Sequence, residues 1–215
     1  MEKKIFVSVG RTSTPAQEAF VSAIEDRLRA EGLTPCTVGR NQWTSGAPLK
    51  KVMELMHECQ GAVIIALERI YFPAGKERRG DAKEKDLKEV CIATPFNQVE
   101  AAMAYCHGHP LLVIAEDTVR LDGLLEPGND WYVQSVKLDP SALTTVEFNG
   151  VLADWKKQVT ERPKDHKAIS RPDPTEMSVA QLLGSLKPVQ LWAVLGAVTV
   201  LIVGAFSLGA KLIGP

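Results

Sequence analysis

Residues 94–115 read TPFNQVEAAMAYCHGHPLLVIA, a helix followed at once by a strand. Thr94 has the side chain of an N-cap, and Pro95 brings the fixed φ of a first helical residue. Asn97 and Glu100 lie one turn apart on one face. Ala101, Ala102 and Ala104 add little bulk, so the helix can lie close to whatever it packs on. Gly108-His109-Pro110 stops it. Residues 111–115 are then apolar without a break, a pattern expected of a strand covered on both faces. A helix that feeds directly into such a strand is one step of an α/β fold.

The same step recurs along the chain in both directions. Residues 5–9 (IFVSV) read as a strand. Pro15 opens a helix that places Phe20, Ile24 and Leu28 on one side and ends at Gly32. Residues 35–38 form a weak strand. Residues 48–59 form a helix whose stripe is Leu49, Val52, Met53 and Met56. Residues 62–67 (AVIIAL) are a second fully apolar strand, and residues 132–138 a fifth. Residues 148–159 close with a helix that presents Phe148, Val151, Leu152, Trp155 and Val159. This alternation predicts a five-stranded parallel sheet with helices on both faces. Residues 76–89 (KERRGDAKEKDLKE) interrupt it and read as a solvated loop insertion, with a lid over the cleft as the other reading.

Composition narrows the class of partner. The 215 residues carry 25 Lys+Arg and 26 Asp+Glu, a formal charge of −1. Near-neutrality provides no field for holding nucleic acid. The cysteines, at positions 36, 59, 91 and 106, have no paired spacing, which argues against a disulfide framework and a zinc site. Residues 189–209 (VQLWAVLGAVTVLIVGAFSLG) are uncharged, and about 20 such residues coiled as a helix match the hydrocarbon thickness of a bilayer. Arg162, Lys164, Lys167, Arg171 and Lys187 precede this run and only Lys211 follows it, which places the N-terminal side in the cytoplasm. The expected organisation is an α/β domain over residues 1–162, a proline-bearing linker over 163–187, and a single membrane span over 188–210. Ala193/Ala197 and Ala205/Gly209 are small pairs four apart that permit close helix contact and a homo-oligomer.

In a sheet of this kind ligands sit beyond the carboxyl ends of the strands, where strand order reverses. The loop Gly10-Arg11-Thr12-Ser13-Thr14 combines a glycine, a cation and three hydroxyls ahead of a helix N-terminus, where backbone N–H groups and the helix dipole favour an anion such as phosphate. Ordinary capping uses the same residue types. Glu100 directs a carboxylate towards the cleft mouth, with Asn97 beside it, although an acid near a helix start also complements the dipole. Glu68, at the end of the third strand, is either a second carboxylate of the site or a surface residue. Trp43 and Tyr71 offer rings that stack on a base or simply pack. His107 and His109 read as turn residues, and no metal-ligand set emerges.

Residues 94–114 resemble the nucleoside 2-deoxyribosyltransferase pattern, in which a glutamate opens a small-residue helix that ends in Gly-x-Pro before a strand. They also resemble the catalytic-glutamate helix of Toll/interleukin-1 receptor (TIR) domains. Residues 5–9 resemble the first TIR strand, residues 43–49 (WTSGAPL) the loop after the second, and residues 59–66 (CQGAVIIA), followed by Tyr71, the third. The likeness covers most of residues 4–160. It departs at Thr94-Pro-Phe-Asn97, which replaces the transferase Asp-x-Gly-Thr, at an absent Trp-Cys pair, and at the 76–89 insertion.

The resemblance implies a flavodoxin-like, TIR-like sheet. It also implies breakage of an N-glycosidic bond at a ribose-like ring, with Glu100 as the catalytic carboxylate and Gly10, Arg11, Thr12, Trp43, Glu68, Tyr71 and Asn97 around the substrate. NAD or a related nucleotide is then substrate or ligand, and no separate cofactor is required. The expected activity is that of a membrane-anchored hydrolase, with bacterial anti-phage defence as its setting. The alternative function is a non-catalytic module that senses a nucleotide or pairs with a TIR domain, with the span as effector.

Overall fold

The computed structural model describes residues 3–161 and the isolated positions Trp192, Gly196 and Thr199. The expected linker and membrane span otherwise lie outside the described residues, among which no helix is long and apolar enough to cross a membrane. In chain order the elements are β1 (Lys3–Val9), α1 (Pro15–Ala30), β2 (Leu33–Cys36), α2 (Pro48–Glu58), β3 (Gly61–Ala66), β4 (Ile70–Glu77), β5 (Lys85–Ile92), α3 (Pro95–Cys106), β6 (Leu111–Glu116), β7 (Tyr132–Val136) and α4 (Val146–Glu161). Five of the strands form one sheet in the order β2-β1-β3-β6-β7, and every neighbouring pair in it is parallel. This is the flavodoxin-like arrangement, and strand order reverses between β1 and β3.

Strand pleating divides the core in two. On one face, Phe20, Ile24 and Leu28 of α1 and Phe148, Leu152, Trp155 and Val159 of α4 cover Ile5, Val7, Val63, Ile65, Leu112 and Ile114. On the other, Val52, Leu55 and Met56 of α2 and Ala101 and Ala104 of α3 cover Phe6, Ala62, Ile64, Ala66 and Val113. Each fully buried Leu, Ile or Phe contributes about 1.5–3 kcal/mol relative to exposure. Of the helices α1 to α4, three begin with proline after an extended cap residue, which fixes their starts locally.

The structure corrects three sequence-based expectations. β2 begins at Leu33, two residues before the expected start, because buried Leu33 pairs with Lys3 directly after Gly32 turns the chain with φ of 75°. The stripe of α2 is Val52, Leu55 and Met56, whereas Leu49 and Met53 are exposed.

The third correction concerns residues 76–89: residues 76–77 and 85–89 belong to the strands of a β-hairpin, and the exposed loop is confined to residues 78–84. β4 and β5 pair antiparallel from Ile70↔Ile92 to Glu77↔Lys85. The charges that suggested a solvated loop oppose one another across the ladder, Lys76 with Asp86 and Glu77 with Lys85. Such cross-strand pairs of opposite charge favour a ribbon. The hairpin is tied to the segment after β6 by a bridge between Cys91 and Val119 near its base and by an Arg120–Glu77 ion pair of 3.1 Å at the far end of β4.

At the amino end of β3 the backbone comes very close to α4. A Cβ at Gly61 would lie 2.6 Å from Val159 Cγ2 and 3.3 Å from Trp155 Cζ2. Gly61→Ala is expected to destabilise the domain by about 1–3 kcal/mol through overpacking, read as a lower denaturant midpoint. An unchanged midpoint would mean that α4 moves aside at no cost.

Candidate active site

The carboxyl ends of β1 and β3 flank the strand-order reversal, and α3 packs across them. Its start is set by Thr94, whose side chain accepts from the Phe96 N–H at 3.4 Å, and whose carbonyl accepts from the Asn97 N–H at 3.0 Å. Gly10 runs directly beneath this cap. A Cβ there would lie 3.1 Å from Thr94 Cγ2, so a larger residue would force the loop and the helix start apart.

Asn97 is 1 % exposed and joins both strands to α3. Its Nδ2 donates to Ser8 Oγ on β1 at 2.9 Å and to the Ile65 carbonyl on β3 at 3.3 Å. Its Oδ1 is buried and has no hydrogen-bond partner. Glu100, one turn further along α3, is half-buried. Burial pushes its carboxyl up to about 6, and a hydrogen bond from the Ser8 side chain draws it partly back. Among the described residues Glu100 forms no ion pair. Ser8, Asn97 and Glu100 thus form one cluster at the reversal. Sequence reading identified Asn97 and Glu100 but missed Ser8. The signal was a hydroxyl in the otherwise apolar run Ile5-Phe-Val-Ser-Val9.

The Gly10 loop is laced to α1. Thr12 donates its hydroxyl to Glu18 at 2.6 Å, the Ser13 N–H donates to Gln17 Oε1 at 2.8 Å, and Gln17 Nε2 donates to the Glu68 carbonyl at 3.0 Å. Arg40 holds Glu18 at 2.7 and 2.9 Å and keeps its carboxyl down at about 2. Thr12 therefore serves an acidic side chain, which disfavours an anion beside it. Of the expected anion-binding residues, Gly10 is pressed against Thr94, and Arg11 is exposed.

The other expected site residues are placed separately. The Glu68 N–H donates to Glu116 Oε2 at 2.8 Å. Its carboxylate accepts from the Cys91 thiol, which is pushed up to about 11 mainly by that bond. Tyr71 stands on β4 opposite Cys91, and Trp43 lies in the loop before α2, three-quarters exposed. Among the described residues neither ring stacks on another. His109, read as a turn residue, is buried against the Met56 carbonyl, with Nε2 at 2.8 Å. The hollow of about 750 Å³ lined by Tyr105, Asp130, Trp131, Tyr132, Asp154 and Trp155 is at the amino end of β6 and β7, away from Glu100. Among the described residues no cluster of His, Cys, Asp or Glu is arranged to hold a metal.

No family model matches the sequence, and neither does any curated protein. Among solved structures, a 2-desoxiribosyltransferase from Leishmania mexicana is similar, with 15 % identity and a TM-score of 0.44, over 75 % of this chain and 99 % of that one. The CMP N-glycosidase BcmB from Clostridium botulinum matches at 13 % identity and a TM-score of 0.32, over 55 % of this chain and 76 % of its own. The TIR domains of the activated Roq1 resistosome, which recognises the pathogen effector XopQ, match at 12 % identity and a TM-score of 0.35, over 74 % and 82 %. At these values the similarities leave function to the site's own residues.

Proposed function

We propose that the domain cleaves the N-glycosidic bond of a nucleotide, NAD or a relative of it, with Glu100 beneath C1′ of the ribose. The observation that carries this reading is the setting of Glu100. It is half-buried at the strand-order reversal, has no ion pair among the described residues, and titrates near 6 because it is desolvated. A glutamate kept for stability is usually either paired with a cation or turned out into water; a partly desolvated, uncompensated carboxylate is the form in which a reacting group is held.

The chemistry follows from that setting. The C1′–N bond breaks and its electron pair leaves with the base, so C1′ becomes oxocarbenium-like. An ionised carboxylate beneath it stabilises the cation or captures it covalently. Water then delivers its oxygen to C1′ and releases a proton. When the leaving base is a nicotinamide already carrying positive charge, it departs neutral without a proton donor, and a single carboxylate suffices. With a midpoint near 6, about nine-tenths of Glu100 is ionised at pH 7. Gly10 and Arg11 follow directly on the carboxyl end of β1, where the reading puts the phosphate, and it assigns base stacking to the exposed rings of Trp43 and Tyr71.

One observation favours the second reading, a binding module. The cross-strand pairs Ile70↔Ile92 and Phe72↔Val90 put apolar side chains on one face of the hairpin, and Ile70 and Phe72 are nearly half exposed. The test is release of free base by the purified full chain from NAD, NADP, CMP and deoxynucleosides, followed by chromatography over a range of protein concentrations. Release from at least one nucleotide, with a hydrolysed sugar product, is expected. Measurable nucleotide binding without release at any concentration would overturn the hydrolase and leave the binding module.

A further inference from the structure

The hollow at the amino ends of β6 and β7 lies outside the Glu100 site, and its volume of about 750 Å³ suits a small molecule. Buried Trp155 and half-buried Trp131 supply its deep surface, and exposed Tyr105 and Tyr132 its rim. Both indole N–H groups are already committed, Trp155 to the Pro110 carbonyl at 3.1 Å and Trp131 to the Leu124 carbonyl at 3.2 Å. Tyr105 meets Trp131 edge-on, with ring centroids 5.3 Å apart, which holds both rings in place. The indoles therefore offer a ligand π surface and no donor. The charge on the walls has one sign. Asp130, just before β7, and Asp154, on α4, line the hollow, and among the described residues no Lys or Arg does. Asp130 accepts from the Tyr105 hydroxyl at 3.0 Å and Asp154 from Gln158 Nε2 at 2.9 Å. These partners are neutral, so each acid keeps its charge uncompensated. With about four acceptor positions per carboxylate, each also keeps room for a further donor. His109 borders the hollow too, with Nε2 turned to the Met56 carbonyl at 2.8 Å.

Gly150 of α4 is the independent sign of a ligand. A glycine inside a helix weakens it relative to alanine, yet no close contact demands one here. A Cβ at Gly150 would meet no atom within 4 Å, and its φ is not in the left-handed region. Its effect is to leave the α4 wall of the hollow bare, one turn from Asp154. We propose that this hollow is a second binding site, for a small organic cation. Its ammonium or guanidinium group is held by Asp130 and Asp154, and its flat or aliphatic body lies against the Trp131 and Trp155 rings. Rings with their N–H groups occupied, two acids without a counter-cation and a bare helix wall together select positive charge on an apolar frame. The inference goes beyond the reading of Glu100 and does not depend on it.

The test is an NMR titration of the indole N–H signals of the full chain with three probes that share one ring and differ in charge: phenethylammonium, 2-phenylethanol and phenylacetate. Phenethylammonium should move the Trp131 and Trp155 signals saturably in the submillimolar range and leave that of Trp43 in place. The alcohol should bind at least about tenfold more weakly, and phenylacetate should not bind. Asp130→Asn combined with Asp154→Asn should erase the preference for the cation. Gly150→Leu should fill the hollow and abolish the shifts without lowering the melting point, because leucine is the better helix former. Equal affinity for the ammonium and the alcohol in the wild type would overturn the proposal. So would shifts that survive Gly150→Leu, or signals that ignore all three probes at millimolar concentration. None of these readouts needs turnover. Failure of the hydrolase reading appears as absent base release, and failure of this inference as an indole signal blind to charge.

Discussion

Glu100→Gln is expected to lower kcat/KM for base release by about a thousand-fold or more, while making the domain more stable above pH 7. The first effect follows from removing the charge that meets a developing cation, for which losses of about 10²–10³ in rate accompany even a single missing electrostatic partner. Wild-type activity should rise with pH through a midpoint near 6, because the ionised carboxylate is required and burial sets its midpoint there. The second effect has the opposite sign. The folded midpoint, about 6, lies above the ordinary value of 4.5, so between these pH values the folded chain binds more protons than the unfolded one. The resulting stability is fully present below 4.5 and is lost as pH rises through 6. At pH 8 the wild type carries an ionised, partly buried carboxylate at a cost of about 2 kcal/mol, which the neutral glutamine removes. Thermal scans at pH 8 and pH 4.5, run beside the activity assay, check both. A Glu100→Gln protein that still releases base would remove Glu100 from the chemistry. A variant less stable at pH 8 would show that the carboxylate is held by a favourable partner instead of being tolerated.

The sequence reveals this site unevenly, for physical reasons. The α3 start was legible because Thr94 and Pro95 act locally, through a cap and a fixed φ. β3 and β6 were legible because two-sided burial leaves an unbroken apolar run. The stripe of α2 was misread because Leu49 and Met53 are as apolar as the residues that pack, and helix rotation on the sheet is a tertiary choice. The hairpin was missed because its stabilising pairs, Lys76 with Asp86 and Glu77 with Lys85, are ten and eight positions apart and oppose one another only once the ribbon forms. Asn97 and Glu100 were visible as a same-face pair one turn apart. Ser8 was not, because its partner is Asn97, 89 positions away, and nothing local distinguishes a functional hydroxyl in a strand from an incidental one. The lacing of Thr12 to Glu18 and Arg40 was equally hidden, so a loop with the composition of an anion cradle proved partly committed to its own helix.

Trp155→Ala is expected to be the most damaging single change to stability, at about 3–5 kcal/mol, and to leave the chemistry alone. Trp155 is 3 % exposed and fills the space that Gly61 vacates, with Cζ2 at 3.3 Å from where a Cβ would stand. Its indole Nε1 donates to the Pro110 carbonyl at 3.1 Å. That carbonyl also accepts from the Ala62 N–H at 3.0 Å, so truncation leaves it partnered. The cost is therefore chiefly a cavity between α4 and the amino ends of β3 and β6, and Trp155→Phe, which keeps most of the volume, should lose far less. For a domain of this size the alanine variant should melt about 10 °C lower. Gly61 and Pro110 lie at the opposite end of the sheet from Ser8 and Glu100. Assayed below its own melting point, Trp155→Ala should therefore keep the wild-type rate and the midpoint near 6. A melting point within 2–3 °C of wild type, about 1 kcal/mol, would show that α4 closes over the gap. An altered pH profile would couple the two ends of the sheet, contrary to a site held by β1, β3 and α3 alone.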